Sequence, residues 1–438
     1  MTRSTTILLL LLAVALVAQQ NTMLPKNLSL KEAKEIALQA NPTLQVAAAR
    51  IRAAAARLQE AQSDYYPRLD TVAGLQRTQE VARDNGGNAN SHYTTYHAGL
   101  EFTWTIFDGM ARKYDNLAKQ LGVNIAEHDH KDAQRTLLLA VATAYFNSLL
   151  ELENIRIAQE DHKYNLDLKD TAQRKLDNGY GTRSDVLNFD IRAKDAEANL
   201  LEAELALKTS HYALAELLGR THNDIPEGFH LNTAQDYTQT PEVSSVEENL
   251  QYALENRPDL IAQTEAIKQQ EAMVDVYDAE NLPALEFFAD YGFTRRSKLK
   301  FSDKDDNLVF GIQLRWNVFN GNATRAKVAQ AWAAADEERQ QLNVLKQTIQ
   351  KQIASQHAAT LQARKLADLK TETMKLAEET RNLVRNEYNI GRVTATRLNE
   401  AQTDLVNAQG DRVKAVIRYW QSRENLAAIT GQNLSTVK

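Results

Sequence analysis

Strict alternation between apolar and polar residues marks four short segments of the chain, the pattern of strands with one apolar and one polar face. These segments are residues 69–75, 100–106, 285–293 and 310–318, of which the first alternates least clearly. They predict two β-hairpins, at about 68–107 and 284–319, with polar loops at 77–95 and 294–307. Strands of about ten residues have the length found in outer-membrane barrels.

Helical patterns fill most of the remaining chain. Between Gly321 and Gly391 lie 69 residues without Gly or Pro, which predicts a helix about 100 Å long. A matching helix is predicted from about Met110 to Asn178. Heptad steps of three and four predict that both helices pair along their length; the positions are Leu138, Ala142, Tyr145, Leu149 and Leu152, and Leu366, Leu369, Thr373, Leu376, Thr380 and Leu383. With chain reversals at Gly179 and Gly391, two long antiparallel helical hairpins are predicted.

The sequence contains a duplication. Ala37–Leu44 returns as Ala253–Leu260 after 216 residues, and Trp104–Gly109 returns as Trp316–Gly321 after 212 residues. Each half predicts the same order of elements: helix, β-hairpin and long helical hairpin. The predicted divisions are a signal peptide at 1–18, a first repeat at 19–219 with its tip at about 179–187, an inter-repeat segment at 220–245, a second repeat at 246–431 with its tip at about 388–401, and a tail at 432–438.

The N-terminal residues have the three parts of a secretory signal peptide. Arg3 precedes an apolar run at 7–17, and a series of small residues at its end finishes with Ala18. The run is shorter than the roughly 20 residues that a membrane-spanning helix needs, although an N-terminal anchor is the alternative. The chain is therefore predicted to be exported, and any membrane insertion of the mature protein would use strands.

Composition excludes several classes of function. The 438 residues include only 7 prolines and 16 glycines, too few for the many turns of a doubly wound α/β enzyme. A net charge of −6 without a basic stripe gives no reason to expect nucleic-acid binding. Cys is absent, and His128 and His130 are two residues apart, so they point to different faces of a helix and do not form a zinc pair. No enzymatic activity, cofactor or metal site is predicted.

Four strands cannot close a membrane barrel alone, because an open sheet edge cannot face lipid. One interpretation is that several chains share one barrel. The other is that two soluble hairpins cap a helical bundle. A structural coiled-coil rod would explain the helices equally well, but it would not explain the strands.

The order and duplication of several short motifs resemble the TolC-like outer membrane efflux proteins over almost the whole mature chain. The motifs are Asn41-Pro42, Tyr65-Tyr66-Pro67-Arg68-Leu69, Trp104-Thr105-Ile106-Phe107-Asp108-Gly109, Ala144-Tyr145-Phe146, Gly179 with Thr182–Leu187, Leu217-Leu218-Gly219, and their second-half copies. The resemblance implies a homotrimer in which four strands per chain form a 12-stranded barrel in outer-membrane lipid. It also implies a 12-helix α-barrel in the periplasm, a periplasmic adaptor and an inner-membrane transporter. The implied function is a passive channel for tripartite efflux or type I secretion; a periplasmic coiled-coil adaptor or scaffold is the alternative.

Residue roles at the two tips also follow from the resemblance. Adaptor docking is expected at Gly179, Thr182, Ser184, Gly391 and Thr394. The pore constriction and gate are expected at Asp185, Tyr388, Arg397 and Glu400. Arg397 stands where the family commonly has an acidic residue, and Asn399 stands where a leucine is usual.

Two further hypotheses concern single side chains. The aromatic residues Trp104, Phe107, Trp316 and Phe319 are expected at the membrane interface, with both tryptophans on the apolar face of a strand. At the tip, we hypothesise that Arg397 bonds Asp185, with Tyr388 as a further hydrogen-bond donor. Glu400, three residues after Arg397, is the other candidate anion.

Overall fold

The computed structural model of the protein describes residues 24–84, 87–221, 225–226, 230–231, 242–296 and 306–435. The predicted signal peptide at 1–18 lies outside the described residues, as does most of the predicted inter-repeat segment at 220–245. Within the described residues the chain forms six strands and eight α-helices. In chain order they are β1 (Asn27–Leu28), α1 (Leu30–Ala40), α2 (Pro42–Ser63), β2 (Arg68–Asp84), β3 (Gly87–Phe107), α3 (Ala111–Asp177), α4 (Arg183–Leu217), β4 (His230–Leu231), α5 (Val246–Asn256), α6 (Pro258–Asp278), β5 (Ala284–Arg296), β6 (Asp306–Arg315), α7 (Ala323–Asn389) and α8 (Ala395–Thr430).

The chain divides into two compact units. One comprises Met1–Gln45, Asp132–Arg257 and Thr348–Lys438, and the other comprises Val46–Lys131 and Pro258–Gln347. Each unit therefore takes segments from both predicted repeats, whose boundaries stay a prediction from sequence. None of the described helices is both long and apolar enough to cross a membrane.

The short helices α1 and α5, the first helix of each predicted repeat, both begin with a capping box. The hydroxyl of Ser29 accepts from the Glu32 N–H at 3.2 Å, and the Glu32 carboxylate accepts from the Ser29 N–H at 2.8 Å. Ser245 and Glu248 form the same pair of bonds before α5. These reciprocal bonds satisfy donors that a helix start leaves unpaired.

The residue before each proline that interrupts a helix donates a hydrogen bond to the end of a later helix. Asn41 donates from Nδ2 to the Leu217 carbonyl at 2.7 Å, and its Oδ1 accepts from the Thr43 N–H at 2.8 Å. In the second half, Arg257 donates to the Ile429 carbonyl at 2.6 Å. The last carbonyls of α4 and α8, which lack partners within their own helices, are satisfied in this way.

The predicted heptad seam of α3 is largely buried, and its residues Tyr145 and Leu149 belong to the main hydrophobic core. Leu138, Ala142, Tyr145 and Leu149 are all buried. The Tyr145 hydroxyl donates to the Leu28 carbonyl at 3.1 Å, so the core seam also holds β1. β1 pairs in parallel with β4.

The predicted heptad seam of α7 is wrong for the isolated protomer. Leu366, Leu369, Leu376 and Leu383 are all exposed. The buried stripe of α7 has a different phase and includes Ile349, Ile353, Thr360, Ala363, Ala367, Val384 and Tyr388, with the small residues Thr360, Ala363 and Ala367 at its middle. Small side chains let α7 approach α8 closely, where Ala363 and Ala367 pack with Ala415 and Tyr419. The leucines consequently lie on the outer side of the pair.

Strands β2, β3, β5 and β6 form one antiparallel sheet in the order β2-β3-β5-β6. The predicted polar loop at 77–95 is wrong, because the β2–β3 ladder continues from Arg77 opposite Thr94 to Asp84 opposite Gly87. Main-chain pairing needs no apolar side chains, so the hairpin extends beyond the alternating region. Of the predicted loop at 294–307, residues 297–305 lie outside the described residues.

The end of β6 also differs from the prediction. Arg315 is its last residue and pairs with Ala284, the first residue of β5. Pro283 precedes Ala284 and has no N–H with which to continue the ladder. Trp316 and Phe319 therefore follow the end of β6. Trp104 and Phe107, in contrast, belong to β3, because β3 stays paired with β5 as far as Phe107.

Candidate functional site

The two helical hairpins turn by the same local geometry. Gly179 and Gly391 adopt positive φ angles of 80° and 75°, which glycine tolerates without strain. In each turn a threonine then caps the next helix. The Thr182 hydroxyl accepts from the Asp185 N–H at 3.1 Å, and the Thr394 hydroxyl accepts from the Arg397 N–H at 3.3 Å. Both tips are thus built as the sequence predicts, although their role in docking stays a prediction.

Each turn also presents an apolar side chain to solvent. Tyr180, next to Gly179, is 75% exposed, and Ile390, next to Gly391, is 66% exposed. Ser184, in the first turn of α4, is exposed as well. Large apolar side chains at the apex of both turns give the tips a surface that a partner could cover.

A buried group of side chains, the tip cluster, joins the two hairpins of the protomer. Its members are Leu168, Ala172, Phe189, Val384, Tyr388, Ala395, Leu398 and Ala401. Phe189 is fully buried, and its ring packs edge-on against that of Tyr388 with 5.8 Å between centroids. The tip is therefore a small hydrophobic core rather than a frayed end.

Tyr388 lies inside this cluster and is only 5% exposed. Lys175 reaches it from the other hairpin, with Nζ 4.1 Å from the ring centroid and 3.1 Å from the Tyr388 carbonyl oxygen. Burial raises the pKa of the Tyr388 phenol, and the nearby Asp185 carboxylate raises that pKa further. In this arrangement Tyr388 holds the two hairpins together through Lys175, a contact that sequence analysis did not identify.

Arg397 forms an ion pair with Glu400 rather than with Asp185. The guanidinium and carboxylate are 3.2 Å apart, with the two side chains 51% and 57% exposed. Both residues lie on one face of the first turns of α8, whereas Asp185 lies in the first turn of α4, where a helix N-terminus favours a carboxylate. The hypothesised bond from Arg397 to Asp185 is therefore wrong within the protomer.

Polar side chains next to the tip cluster also join the two hairpins. Asn399 donates to Asn188 at 2.6 Å, and Gln402 donates to the Asp161 carboxylate at 2.7 Å. Arg385 lies 3.4 Å from Asp167. Asn399 thus makes a cross-hairpin bond. The Asp161–Gln402 bond has no signal in a single sequence, because its residues are 241 positions apart.

Asp161 is the titratable group most affected by these contacts. Burial raises the pKa of its carboxyl, while hydrogen bonds from Gln402 and Asn165 act in the opposite direction. The unfolded chain therefore loses this proton at a lower pH than the folded chain. Folding is favoured as the pH falls through the interval between the two pKa values, and the carboxylate lowers stability at neutral pH.

Replacing Asp161 with Asn should therefore raise the thermal unfolding temperature slightly at pH 7.5, because the amide oxygen still accepts from Gln402 without a buried charge. The advantage should shrink as the pH falls and vanish below about pH 3, where the carboxyl is protonated in both states. Scanning calorimetry at both pH values checks this, with Asp170→Asn, an exposed position on the same helix, as the control. A larger advantage at low pH would contradict the assignment.

The sheet carries the other predicted site residues. The indole N–H of Trp104 donates to the Tyr65 carbonyl at 3.1 Å, and that of Trp316 donates to the Asn281 carbonyl at 3.0 Å. Each tryptophan thereby fixes the turn that leads into the first strand of its own hairpin. Their rings remain 43% and 58% exposed, and Phe107 and Phe319 are exposed as well.

Comparison with known proteins identifies the family. The model of the family described as outer membrane efflux protein matches residues 34–220 and 249–432, most of the chain. The chain belongs to the outer membrane efflux protein family. The two matched segments correspond closely to the two predicted repeats. Membership confirms the predicted resemblance and the outer-membrane location, and it places the chain among transport proteins rather than enzymes.

Individual members of this family of outer membrane efflux proteins are distant in sequence. Protein CyaE of Bordetella pertussis is 24% identical, and the match covers 70% of this chain but only 64% of CyaE, slightly less than two thirds. Outer membrane protein TolC of Escherichia coli is 23% identical over 89% of this chain and 80% of TolC. The crystal structure of the Campylobacter jejuni CmeC outer membrane channel superposes with a TM-score of 0.75 at 20% identity, covering 92% of this chain and 86% of CmeC. This chain and CmeC therefore share a fold.

Proposed function

We propose that the protein is the outer-membrane channel of a tripartite efflux pump or type I secretion system, a passive conduit formed by a homotrimer. The observation that carries the proposal is the four-stranded sheet. One face is apolar and both edge strands, β2 and β6, have unpaired edges in the protomer. Within lipid such edges must be paired, and three copies would supply the 12 strands of a closed barrel.

Two exposed apolar stripes on the helices support assembly with further copies of the chain. On α7 the stripe comprises Leu366, Leu369, Leu376, Leu383 and Ile390; on α4 it comprises Leu187, Ile191, Leu201 and Leu205. Both stripes follow heptad spacing. We call them the α7 seam and the α4 seam.

The contacts of the protomer leave these two helices with free outer sides. Near the tip, α3 is bonded to α7 through Lys175 and Tyr388 and to α8 through Asp161 and Gln402. The α4 seam and the α7 seam are consequently available to neighbours, and a ring of copies would pair the α7 seam of one with the α4 seam of the next. Such pairing would remove both apolar stripes from water.

The tips are proposed to dock a periplasmic adaptor that links the channel to an inner-membrane transporter. Gly179, Thr182, Ser184, Gly391 and Thr394 shape the two turns whose exposed apices are Tyr180 and Ile390. The constriction is proposed at Arg397 and Glu400, which remain half exposed, whereas Tyr388 acts from inside the tip cluster.

Outer-membrane fractionation with gel electrophoresis tests the proposed conduit against a periplasmic adaptor or scaffold. The full-length protein should sediment with outer membranes, and its gel mobility should change on boiling as a barrel unfolds. Recovery of all the protein in the soluble periplasmic extract would favour the scaffold. A periplasmic adaptor or scaffold would account for the helical hairpins, but it would not account for a sheet with an apolar face.

Both tryptophans should contact lipid near the periplasmic interface, where indoles anchor barrels. Fluorescence of the reconstituted protein should be quenched more strongly by lipids brominated near the headgroup than by lipids brominated at the chain end. Trp104→Phe and Trp316→Phe should each remove part of the depth-dependent signal. No quenching at any depth would show that neither ring contacts lipid.

Charge changes at the proposed constriction should alter ion selectivity. Arg397→Ala leaves Glu400 unpaired in each of three copies, so the channel should become more cation-selective and its conductance should rise. Glu400→Gln should shift the reversal potential in the opposite direction. Lys194→Ala, which breaks an exposed pair with Glu197 on α4, is the control. Equal reversal potentials for all variants would show that Arg397 and Glu400 do not line the path of the ions.

A further inference from the structure

A polar cavity lies between α3, α4 and α8, next to the tip cluster, and has a volume of about 190 Å³. Each of these helices lines it with polar side chains four residues apart, a spacing that puts them on one face of the helix. The polar lining consists of Asp161 and Asn165 on α3, Arg192, Asp195 and Asn199 on α4, and Asn399, Gln402, Thr403 and Asn407 on α8. The proposed channel function gives this cavity no role.

The base of the cavity is buried and its mouth is open. Asn165, Asn399 and Gln402 are 5%, 6% and 7% exposed. Asp195 and Asn199, in contrast, are exposed to solvent. A small solute can therefore enter past α4 and meet oxygen atoms that belong to three helices.

The side-chain amide of Gln402 is hydrogen-bonded at one end only. Its Nε2 donates to a carboxylate oxygen of Asp161 at 2.7 Å. Its Oε1 is buried and has no hydrogen-bond partner in the part of the chain that the structure describes. A buried acceptor without a partner is unfavourable and rare in folded proteins, so a group held in the cavity would supply the missing contact.

The charges around the cavity favour a cation as that group. Two carboxylates line it, those of Asp161 and Asp195, against one guanidinium. That guanidinium belongs to Arg192, whose side chain is 51% exposed and lies 4.0 Å from the Asp195 carboxylate. Burial raises the pKa of the Asp161 carboxyl although Gln402 and Asn165 both donate to it, which is the behaviour of a carboxylate whose charge is incompletely compensated.

We propose that the polar cavity binds one calcium ion per chain. Calcium takes roughly six to eight oxygen ligands from carboxylates, amide carbonyls and water. Asp161 and Asp195 would supply the charge, and Gln402 Oε1 would supply an uncharged ligand at the base. Since a water molecule takes up about 30 Å³, the cavity has room for the ion and for several waters that complete its coordination.

Two properties of calcium distinguish it from the other small occupants. A calcium–oxygen contact of about 2.4 Å is shorter than a hydrogen bond of about 2.8 Å, so the ion can approach a buried oxygen more closely than water does. Magnesium demands a rigid octahedral set of ligands, whereas calcium accepts irregular geometry. Ligands on three separate helices are better suited to the second requirement.

The ion would join the two helical hairpins of a single chain, because α3 and α4 form one hairpin and α8 belongs to the other. All of its ligands come from one protomer. The proposal therefore does not rest on the proposed trimer, and calcium binding is expected of the folded chain in any oligomeric state.

Equilibrium dialysis with radioactive calcium tests the site directly. The full-length protein in a non-ionic detergent, first freed of metal with a chelator, should bind one calcium ion per chain with a Kd on the order of 10⁻⁴–10⁻³ M. Asp161→Asn and Asp195→Asn should each weaken binding about tenfold, because each removes one unit of ligand charge. Asp170→Asn, at an exposed position on α3, is the control and should bind as the wild type does.

A gain of affinity separates a calcium site from a cavity that holds only water. Gln402→Glu puts a charge at the unpartnered oxygen and should tighten binding about tenfold. Arg192→Gln removes the guanidinium from the mouth and should also tighten binding. Because Arg192 is half exposed, this variant should fold even if Gln402→Glu does not.

Thermal unfolding gives an independent readout. Adding about 10 mM calcium should raise the unfolding temperature of the wild type, since a ligand that binds only the folded chain stabilises it. The same addition should have little effect on Asp161→Asn, and about 10 mM magnesium should raise the wild-type temperature less than calcium does.

Three results would overturn the proposal. A wild type that retains no calcium would show that the cavity holds water alone. Equal affinity of the wild type, Asp161→Asn and Asp195→Asn would place the ion elsewhere. One ion for every three chains, lost in Glu400→Gln, would place it at the proposed constriction, and that result would leave the proposed channel function intact.

Discussion

Replacing Leu376 in the α7 seam with Asp is expected to dissociate the proposed trimer. The change removes about 2 kcal/mol of apolar burial at each interface and places a carboxylate there, and three symmetric interfaces carry it at once. Light scattering of the detergent-solubilised protein should give the mass of a single chain. The corresponding change in the α4 seam, Leu205→Asp, should have the same effect, because the two seams are proposed to meet.

Leu166→Asp is the matched control for these variants. Leu166 is 41% exposed on α3 and belongs to neither seam, so the same change in charge and helix propensity should leave the proposed trimer intact. If all three variants remained trimeric, the seams would not be the interface. If only Leu376→Asp dissociated, the α7 seam would pair with some surface other than the α4 seam.

Truncating Phe189 to Ala is expected to loosen the tip while the rest of the protomer stays folded. Phe189 is fully buried at the centre of the tip cluster, and removing such a ring usually costs about 3–5 kcal/mol. Because the cluster joins both hairpins, amide hydrogen exchange should accelerate around residues 168–189 and also around 384–401. Cells that depend on the channel should become more permeable to large antibiotics.

Phe189→Leu separates this effect from a general loss of folding. Leucine keeps most of the apolar volume, so the cost should stay below about 1.5 kcal/mol and exchange should change little. Faster exchange confined to the hairpin that contains residue 189 would contradict the joining role of the tip cluster.

Local patterns predicted much of the architecture. Period-two alternation located all four sheet strands, and the glycines at 179 and 391 located both helical reversals, because these signals depend only on neighbouring residues. The heptad seam of α3 was predicted correctly, since its residues are apolar and all but Leu152, which is half-buried, are buried.

The failures arose where a distant partner decides the outcome. In α7 the leucines suggested a core seam, but α8 packs against the stripe of small residues, which leaves Leu369 and Leu376 exposed. Trp316 falls outside β6 because Pro283, 33 positions earlier, ends the ladder. Two hydrogen bonds, from Lys175 to Tyr388 and from Gln402 to Asp161, join residues more than 200 positions apart. The sequence around each of these residues does not indicate its partner.

Single-channel recording tests the central claim, that this chain forms a conduit through the outer membrane. The full-length protein, purified from outer membranes and added to a planar lipid bilayer, should insert and produce discrete, uniform current steps. Leu376→Asp should abolish the steps and Leu166→Asp should preserve them. A bilayer that stays electrically silent while the folded wild-type protein remains in the aqueous phase would contradict the account.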